Sequence, residues 1–304
     1  MTSDRAIIET NNLSKRYWRH DAVSGVNLKV PEGAMFALVG ANGAGKTTTL
    51  RMLVNILQPD AGSARVCGVD SCSLSRFDRL QIGYVSENQE IPGRLSISTY
   101  FDYLRSLYPN WDTTLETQLR RQLDLPPDRK LAALSHGMRM KTMLAGALAF
   151  RPKLLILDEP LSGLDPLVRD EVMSGLLEQA DSTTIVISSH EIAEIETCAT
   201  HVAFMSKGRL VFQEALESLK SRFREVTVSV SQNVATARFP ERWLTPEASG
   251  SSLRFVDTAF VDDEELRSHV AAVLGAVQHL DVAPMSLREV TKALMRASRT
   301  ESKA

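Results

Sequence analysis

The sequence predicts an α/β chain in three parts: a core built on a largely parallel sheet, a helical insertion within that core, and a small α/β appendage after it. Three observations predict this. Short apolar runs at Ala34–Val39, Leu154–Leu157 and Thr184–Ile187 each precede a helical pattern, as βαβ units do. From about Arg94 to Phe150 strand signals fade and helical periodicity takes over. Beyond about Glu225 the texture changes again, to alternating strands and short helices.

Taken in order, Val26–Val30 reads as a strand that ends at the turn Pro31-Glu32-Gly33. Ala34–Val39 is wholly apolar, as a buried strand is. It leads straight into Gly40-Ala41-Asn42-Gly43-Ala44-Gly45-Lys46-Thr47. A helix follows, because Leu50, Leu53, Val54 and Leu57 form one apolar stripe, and Gln58-Pro59-Asp60-Ala61-Gly62 ends it. Leu115, Leu119, Gln122 and Leu123 carry helical spacing inside the insertion, set at about 88–150. Leu154–Leu157 ends in Asp158-Glu159, and the strand Thr184–Ser189 ends at His190. In the appendage Val226, Val228 and Val230 alternate with polar residues, and Gly250-Ser251-Ser252 is a turn. Asp262–Val277 and Ser286–Ala297 read as helices, the second opened by a Ser286-x-x-Glu289 capping box. The expected domains are 5–224 and 225–304, and the second carries no recognisable chemical motif.

Composition narrows the function classes. At 304 residues, 43% hydrophobic and 24% charged, the chain can bury a substantial core, which excludes a disordered, collagenous or disulfide-stapled protein. With 35 basic and 37 acidic residues the net charge is −2, so no nucleic-acid partner is expected. Cys67, Cys72 and Cys198 form no C-x-x-C pair, which fits a reducing compartment and incidental thiols. The N-terminus lacks a basic region followed by an apolar core, so no signal peptide is expected. No run of 18 apolar residues exists, so a transport role would need a separate membrane partner.

Gly40-x-x-x-x-Gly45-Lys46-Thr47 is the P-loop pattern, here between a strand and a helix. Glycines let backbone N–H groups turn inward onto phosphate oxygens, and the helix N-terminus adds positive potential. Gly40, Asn42, Gly43, Ala44, Gly45, Lys46, Thr47 and Thr48 are the expected phosphate cradle. Lys46 can reach the β- and γ-phosphates, and the Thr47 hydroxyl can ligate Mg²⁺. About 110 residues on, Asp158 ends a buried strand at the same sheet edge, where it would hold Mg²⁺. Glu159 would lie near the γ-phosphate and polarise the attacking water.

Further residues carry a resemblance. Leu134-Ser135-His136-Gly137-Met138 lies about 20 residues before Asp158 and opens a helix. It resembles the signature loop of ATP-binding cassette (ABC) ATPases. Ser162-Gly163-Leu164-Asp165 resembles their D-loop, His190 their switch histidine, and Tyr17 the aromatic that stacks on adenine, with Trp18 a competing stacker. The resemblance covers roughly residues 5 to 220. It implies a P-loop NTPase with a RecA-like core, an N-terminal antiparallel β subdomain and a helical ABC insert. It also implies ATP and Mg²⁺ as cofactors, Glu159 and His190 as catalytic residues, and Ser135 and Gly137 as γ-phosphate contacts.

The sequence departs from the family pattern in two places. His136 and Met138 stand where Gly and Gln are usual, and Glu87 stands where the Q-loop glutamine is expected, with Gln89 nearby as a substitute metal-sensing residue. These departures, with Tyr108-Pro109-Asn110-Trp111-Asp112, look similar to bacterial exporter-type ABC ATPases of the ABC-2 class. The resemblance then implies a head-to-tail dimer, with itself or with a homologous ATPase subunit. Each ATP would lie between the P-loop of one subunit and Ser135–Met138 of the other. It further implies a membrane permease as partner, and a cytoplasmic location, peripheral on the cytoplasmic face of the inner membrane. Ile91, Pro92, Leu95, Ile97, Tyr100 and Phe101 are candidates for a permease contact, or equally for core packing. The alternative is a soluble ABC-type ATPase of translation or DNA maintenance. A single P-loop, and an insertion without a heptad run, favour transport.

Overall fold

A computed structural model describes residues 5–180, 182–191, 195–231, 234 and 238–300, with side chains to 297. The chain divides into two compact units between Gln213 and Glu214.

The first unit opens with β1 (Ala6–Tyr17), β2 (His20–Val26) and β3 (Lys29–Pro31). β2 and β3 both pair antiparallel with β1. The strand expected over Val26–Val30 is therefore broken. β2 stops at Val26 and β3 starts at Lys29, because Asn27 turns aside to accept the Asn12 backbone N–H through Oδ1 at 2.8 Å. β4 (Met35–Val39) is buried at every residue and runs into the glycine-rich loop. α1 (Lys46–Leu53) follows. It ends a turn earlier than the Leu50–Leu57 stripe predicts, since Asn55 takes a φ of +57°. Val54 and Leu57 still pack on the core from the loop. β5 (Ala61–Val66) and β6 (Val69–Asp70) return to the antiparallel sheet, beside β1.

α2 (Arg76–Arg79) leads to β7 (Ile82–Ser86). The helical insertion holds α3 (Ile97–Leu107), α4 (Thr113–Gln122) and α5 (His136–Leu148), capped by Ser96, Asp112 and Ser135. Ile97, Tyr100 and Phe101 are buried in it. For these three of the candidate contact residues, core packing is the answer. β8 (Leu154–Asp158), β9 (Thr184–Ser189), β10 (His201–Ser206) and β11 (Arg209–Ala215) complete the second sheet, ordered β11-β10-β4-β9-β8-β7, and α6 (Pro166–Leu177) connects β8 to β9. β10, β4, β9, β8 and β7 pair in parallel. β4, β8 and β9 are buried throughout, as strands covered on both faces must be. Their C-terminal ends lie side by side, which is where open parallel sheets hold ligands.

The second unit contains α7 (Leu216–Arg222), β12 (Arg224–Val230), β13 (Trp243–Ser249), β14 (Ser252–Asp257), α8 (Asp263–Leu274), β15 (Val277–Pro284) and α9 (Leu287–Thr300). Its four strands are ordered β13-β14-β12-β15 over a core that includes Val226, Val228, Trp243, Phe255, Leu266 and Val270. Its start lies ahead of the boundary expected at 224/225. The Arg222 side chain pairs with Glu214 and donates to the Thr258 carbonyl, while the Phe260 N–H donates to the Arg222 carbonyl. Those bonds, which no change in composition announces, tie α7 to this unit. α8 is shorter than the expected 262–277, because Gly275 at φ +83° releases Val277 into β15. The Ser286–Glu289 capping box forms, with Ser286 N–H to Glu289 Oε2 at 2.8 Å and Glu289 N–H to Ser286 Oγ at 3.3 Å.

Candidate functional site

The loop after β4 owes its shape to its glycines. Gly43 and Gly45 have φ of +80° and +100°, where a side chain is strained. A Cβ on Gly45 would lie 2.5 Å from the Ala22 carbonyl, and one on Gly40 would run into the Met205 carbonyl. α1 begins at Lys46 with no side-chain cap, so its first N–H groups are left for a ligand. Lys46 is only 4% exposed. Its Nζ donates to the Gly40 carbonyl at 2.6 Å and the Ala41 carbonyl at 3.3 Å, and pairs with Glu159 Oε1 at 3.0 Å. Glu159 supplies the negative charge that a buried ammonium requires.

β8 brings Asp158 to the loop. Thr47 Oγ1 donates to Asp158 Oδ1 at 2.9 Å, as does Ser188 Oγ from β9 at 2.9 Å. Tyr84 on β7 donates to Asp158 Oδ2 at 3.4 Å. Burial, then the Asp158 charge, pushes the Tyr84 phenol above its ordinary value and keeps it a donor. Glu159 follows at φ +53°, an uncommon backbone state for a residue with a side chain. Its N–H donates to Ser188 Oγ at 2.9 Å, and its Oε2 accepts from His190 Nδ1 at 2.8 Å. Because the carboxylate only accepts, the bond puts the proton on Nδ1.

Lys46, Thr47 and Glu159 border an open cleft of about 470 Å³ lined by Tyr17, His20, Ala22, Asn42–Thr48, Glu87 and Glu159; Asp158 and His190 are not among its lining residues and meet it through Thr47 and Glu159. Tyr17 is on its wall, whereas Trp18 is 98% exposed and outside that lining. Glu87 also faces it, anchored by its N–H to the Asp158 carbonyl at 3.1 Å. Gln89 instead accepts the Ser86 N–H at 3.3 Å and lies on a different cavity, beside Tyr100 and Phe150. Ser135 and Gly137 are not among the lining residues of this cleft. They open α5, where Ser135 Oγ accepts from Met138 N–H at 3.2 Å and Gly137 abuts Val168 of α6.

The sequence reading missed His20, Ala22, Tyr84 and Ser188. Ser188 had a signal. It interrupts an apolar strand, and pairing in register opposite Asp158 aims it at that carboxylate. His20 and Ala22 had none, because they reach the cleft from a sheet that only the tertiary fold brings near. Thr47 and Asp158 present adjacent hard oxygens, a set that suits Mg²⁺. No cluster of three or more His, Cys, Asp or Glu able to hold a metal exists among the described residues. A metal here would take its remaining ligands from phosphate and water. No helix among the described residues is long and apolar enough to cross a membrane.

Comparison with known proteins gives consistent results. Residues 23–162 match the family model described as ABC transporter. The chain is 34% identical over 228 residues to the bacitracin transport ATP-binding protein BcrA of Enterococcus faecalis, covering 73% of each chain. It is 31% identical to the daunorubicin/doxorubicin resistance ATP-binding protein DrrA of Streptomyces peucetius, and that alignment takes in 94% of this chain and 90% of DrrA. Among solved structures, an ATP-binding subunit of an ABC transporter superposes with a TM-score of 0.64 at 26% identity, over 70% of this chain and 92% of that one. A dimeric ATP-binding cassette bound to ADP and Pi shares the fold, with a TM-score of 0.63 at 21% identity over 69% of this chain and 98% of that one.

Proposed function

The chain belongs to the family of ABC transporter ATP-binding subunits, and on that premise we propose that it hydrolyses ATP in the Lys46–Glu159 cleft to drive export by a membrane permease. The observation that carries this reading is the meeting of two bonded sets, Lys46–Glu159–His190 and Thr47–Asp158, which Ser188 joins by bonding both Asp158 and the Glu159 N–H.

The residues' roles follow from their chemistry. Bound phosphate competes with Glu159 for the Lys46 ammonium and frees that carboxylate to take a proton from water. His190, its Nδ1–H held by Glu159, turns Nε2 toward the position of the γ-phosphate. Tyr17 offers its half-exposed ring to the adenine. Thr47 and Asp158 would hold Mg²⁺, with Glu87 beside them; bound there, the ion would neutralise charge on the β- and γ-phosphates. Ser135 and Gly137 lie outside this cleft because their phosphate is the one bound by a second subunit, in a head-to-tail dimer. The N-terminus of α5 is suited to that charge. Hydrolysis removes the charge and with it the preference for the closed dimer.

The partner is a permease in the inner membrane, and the chain docks on its cytoplasmic face. Relatives named for bacitracin transport and for daunorubicin/doxorubicin resistance support export as the direction. The test of the ATPase dimer is Glu159→Gln. With ATP it is expected to elute as a stable dimer with little turnover. A variant that stays monomeric in gel filtration with ATP ends the sandwich reading. The test of the transport role is coexpression: the protein is expected to sediment with membranes only when its permease is present.

A further inference from the structure

His136 stands at the third position of the signature loop, where the resembled family usually carries glycine, and nothing in the proposed reaction uses it. It is the first residue of α5, its ring is exposed, and its Nε2 lies 3.1 Å from the Ser162 carbonyl. A carbonyl only accepts, so Nε2 is the donor and carries the proton. Ser162 in turn donates its N–H to the Glu159 carbonyl at 3.3 Å. One residue, Ser162, therefore links the signature loop to Glu159, the residue of positive φ that follows β8. The two loops are also packed together. A Cβ on Gly137 would come within 3.1 Å of Val168 Cγ1, and Asp165 caps α6 by accepting from Val168 N–H at 3.1 Å. Gly163, between Ser162 and Leu164, takes a φ of +67°, and the His136 imidazole lies beside it.

We propose that His136 is a positioning residue: its Nε2–H ties the Ser162–Asp165 loop to the signature loop, so that both meet the nucleotide of the partner subunit as one pre-set surface. A glycine at this position cannot make that bond. Without it the Ser162–Asp165 loop keeps its own bonds but loses its tie to the signature loop, and association must then supply the freedom the two loops have relative to each other. The inference rests on the head-to-tail dimer reading.

The experiment separates the two. In the Glu159→Gln background, the ATP concentration for half-maximal dimer formation is measured by gel filtration or light scattering, with His136 kept, changed to Ala, or changed to Gln. ADP affinity of the monomer is measured alongside by calorimetry. His136→Ala is expected to raise the ATP midpoint about fivefold. His136→Gln, which keeps an N–H donor at similar reach, should restore most of it, and ADP affinity should be unchanged in both. If the Glu159→Gln parent does not dimerise, the dimer reading fails and this inference fails with it. If the parent dimerises but Ala leaves the midpoint unmoved, or Gln does not rescue, or ADP affinity falls in parallel, the inference alone is overturned.

Discussion

Ser188→Ala removes one hydroxyl and breaks two bonds at the centre of the site. Ser188 is fully buried. Its Oγ donates to Asp158 Oδ1 at 2.9 Å and accepts the Glu159 N–H at 2.9 Å. The bond to a carboxylate contributes about 1.5–3 kcal/mol, and a buried backbone N–H left without a partner costs about 1–3 kcal/mol. The sum is about 2.5–6 kcal/mol. For a unit of this size, with a urea slope of roughly 2–3 kcal/mol/M, the unfolding midpoint should fall by about 1–3 M. The same bond pins Glu159 at φ +53°. Once it is lost the carboxylate is no longer held against Lys46 and His190, and kcat should fall about tenfold or more while KM for ATP changes little. Urea unfolding by circular dichroism and steady-state phosphate release measure both. A midpoint shift below about 0.3 M with unchanged kcat would refute the argument that this hydroxyl organises Asp158 and Glu159.

Three further predictions concern other parts of the first unit. Lys46→Ala should abolish tight ADP binding in calorimetry, since no other ammonium is buried in the cleft lining; unchanged affinity would remove the P-loop assignment. Gly45→Ala should yield a destabilised protein with impaired nucleotide binding, because φ is +100° and the new methyl meets the Ala22 carbonyl; wild-type thermal unfolding would contradict the geometry. Glu116, buried in the helical insertion, is pushed up by burial but held more strongly down by Arg105, Trp111 and Arg120, leaving it below its ordinary value of 4.5. Its stabilising contribution is therefore complete above pH 4.5 and is lost as pH falls through its lowered native value. Tm measured from pH 6 downward should drop less steeply in Glu116→Gln than in the wild type.

Much of this protein was legible because its decisive features are local. A P-loop needs glycines, a lysine and a threonine at fixed spacing along one strand–loop–helix unit, and the sequence displays all of them. A strand buried on both faces must be apolar, so Leu154–Leu157 pointed to the sheet and to the acids at its end. The cap at Ser286–Glu289 was readable for the same reason, as both partners lie within one turn. Where the reading slipped, the cause was a backbone state the periodicity does not encode. Asn55 and Gly275 at positive φ ended helices that the apolar stripes would have continued.

The tertiary structure alone decided what depends on distant chain segments meeting. Glu87 and Gln89 are chemically similar candidates two residues apart. Only strand pairing, which fixes the Glu87 N–H on the Asp158 carbonyl, turned one into the cleft and the other away from it. Tyr17 and Trp18 were separated the same way. Ser188 acquired its role from register with β8, and His136 from the approach of a loop 26 residues away. The sequence by itself determined which chemistry this protein can carry, because that depends on side-chain type and short-range spacing. The fold decided which of the eligible groups touch, because contact is set by strand order and register.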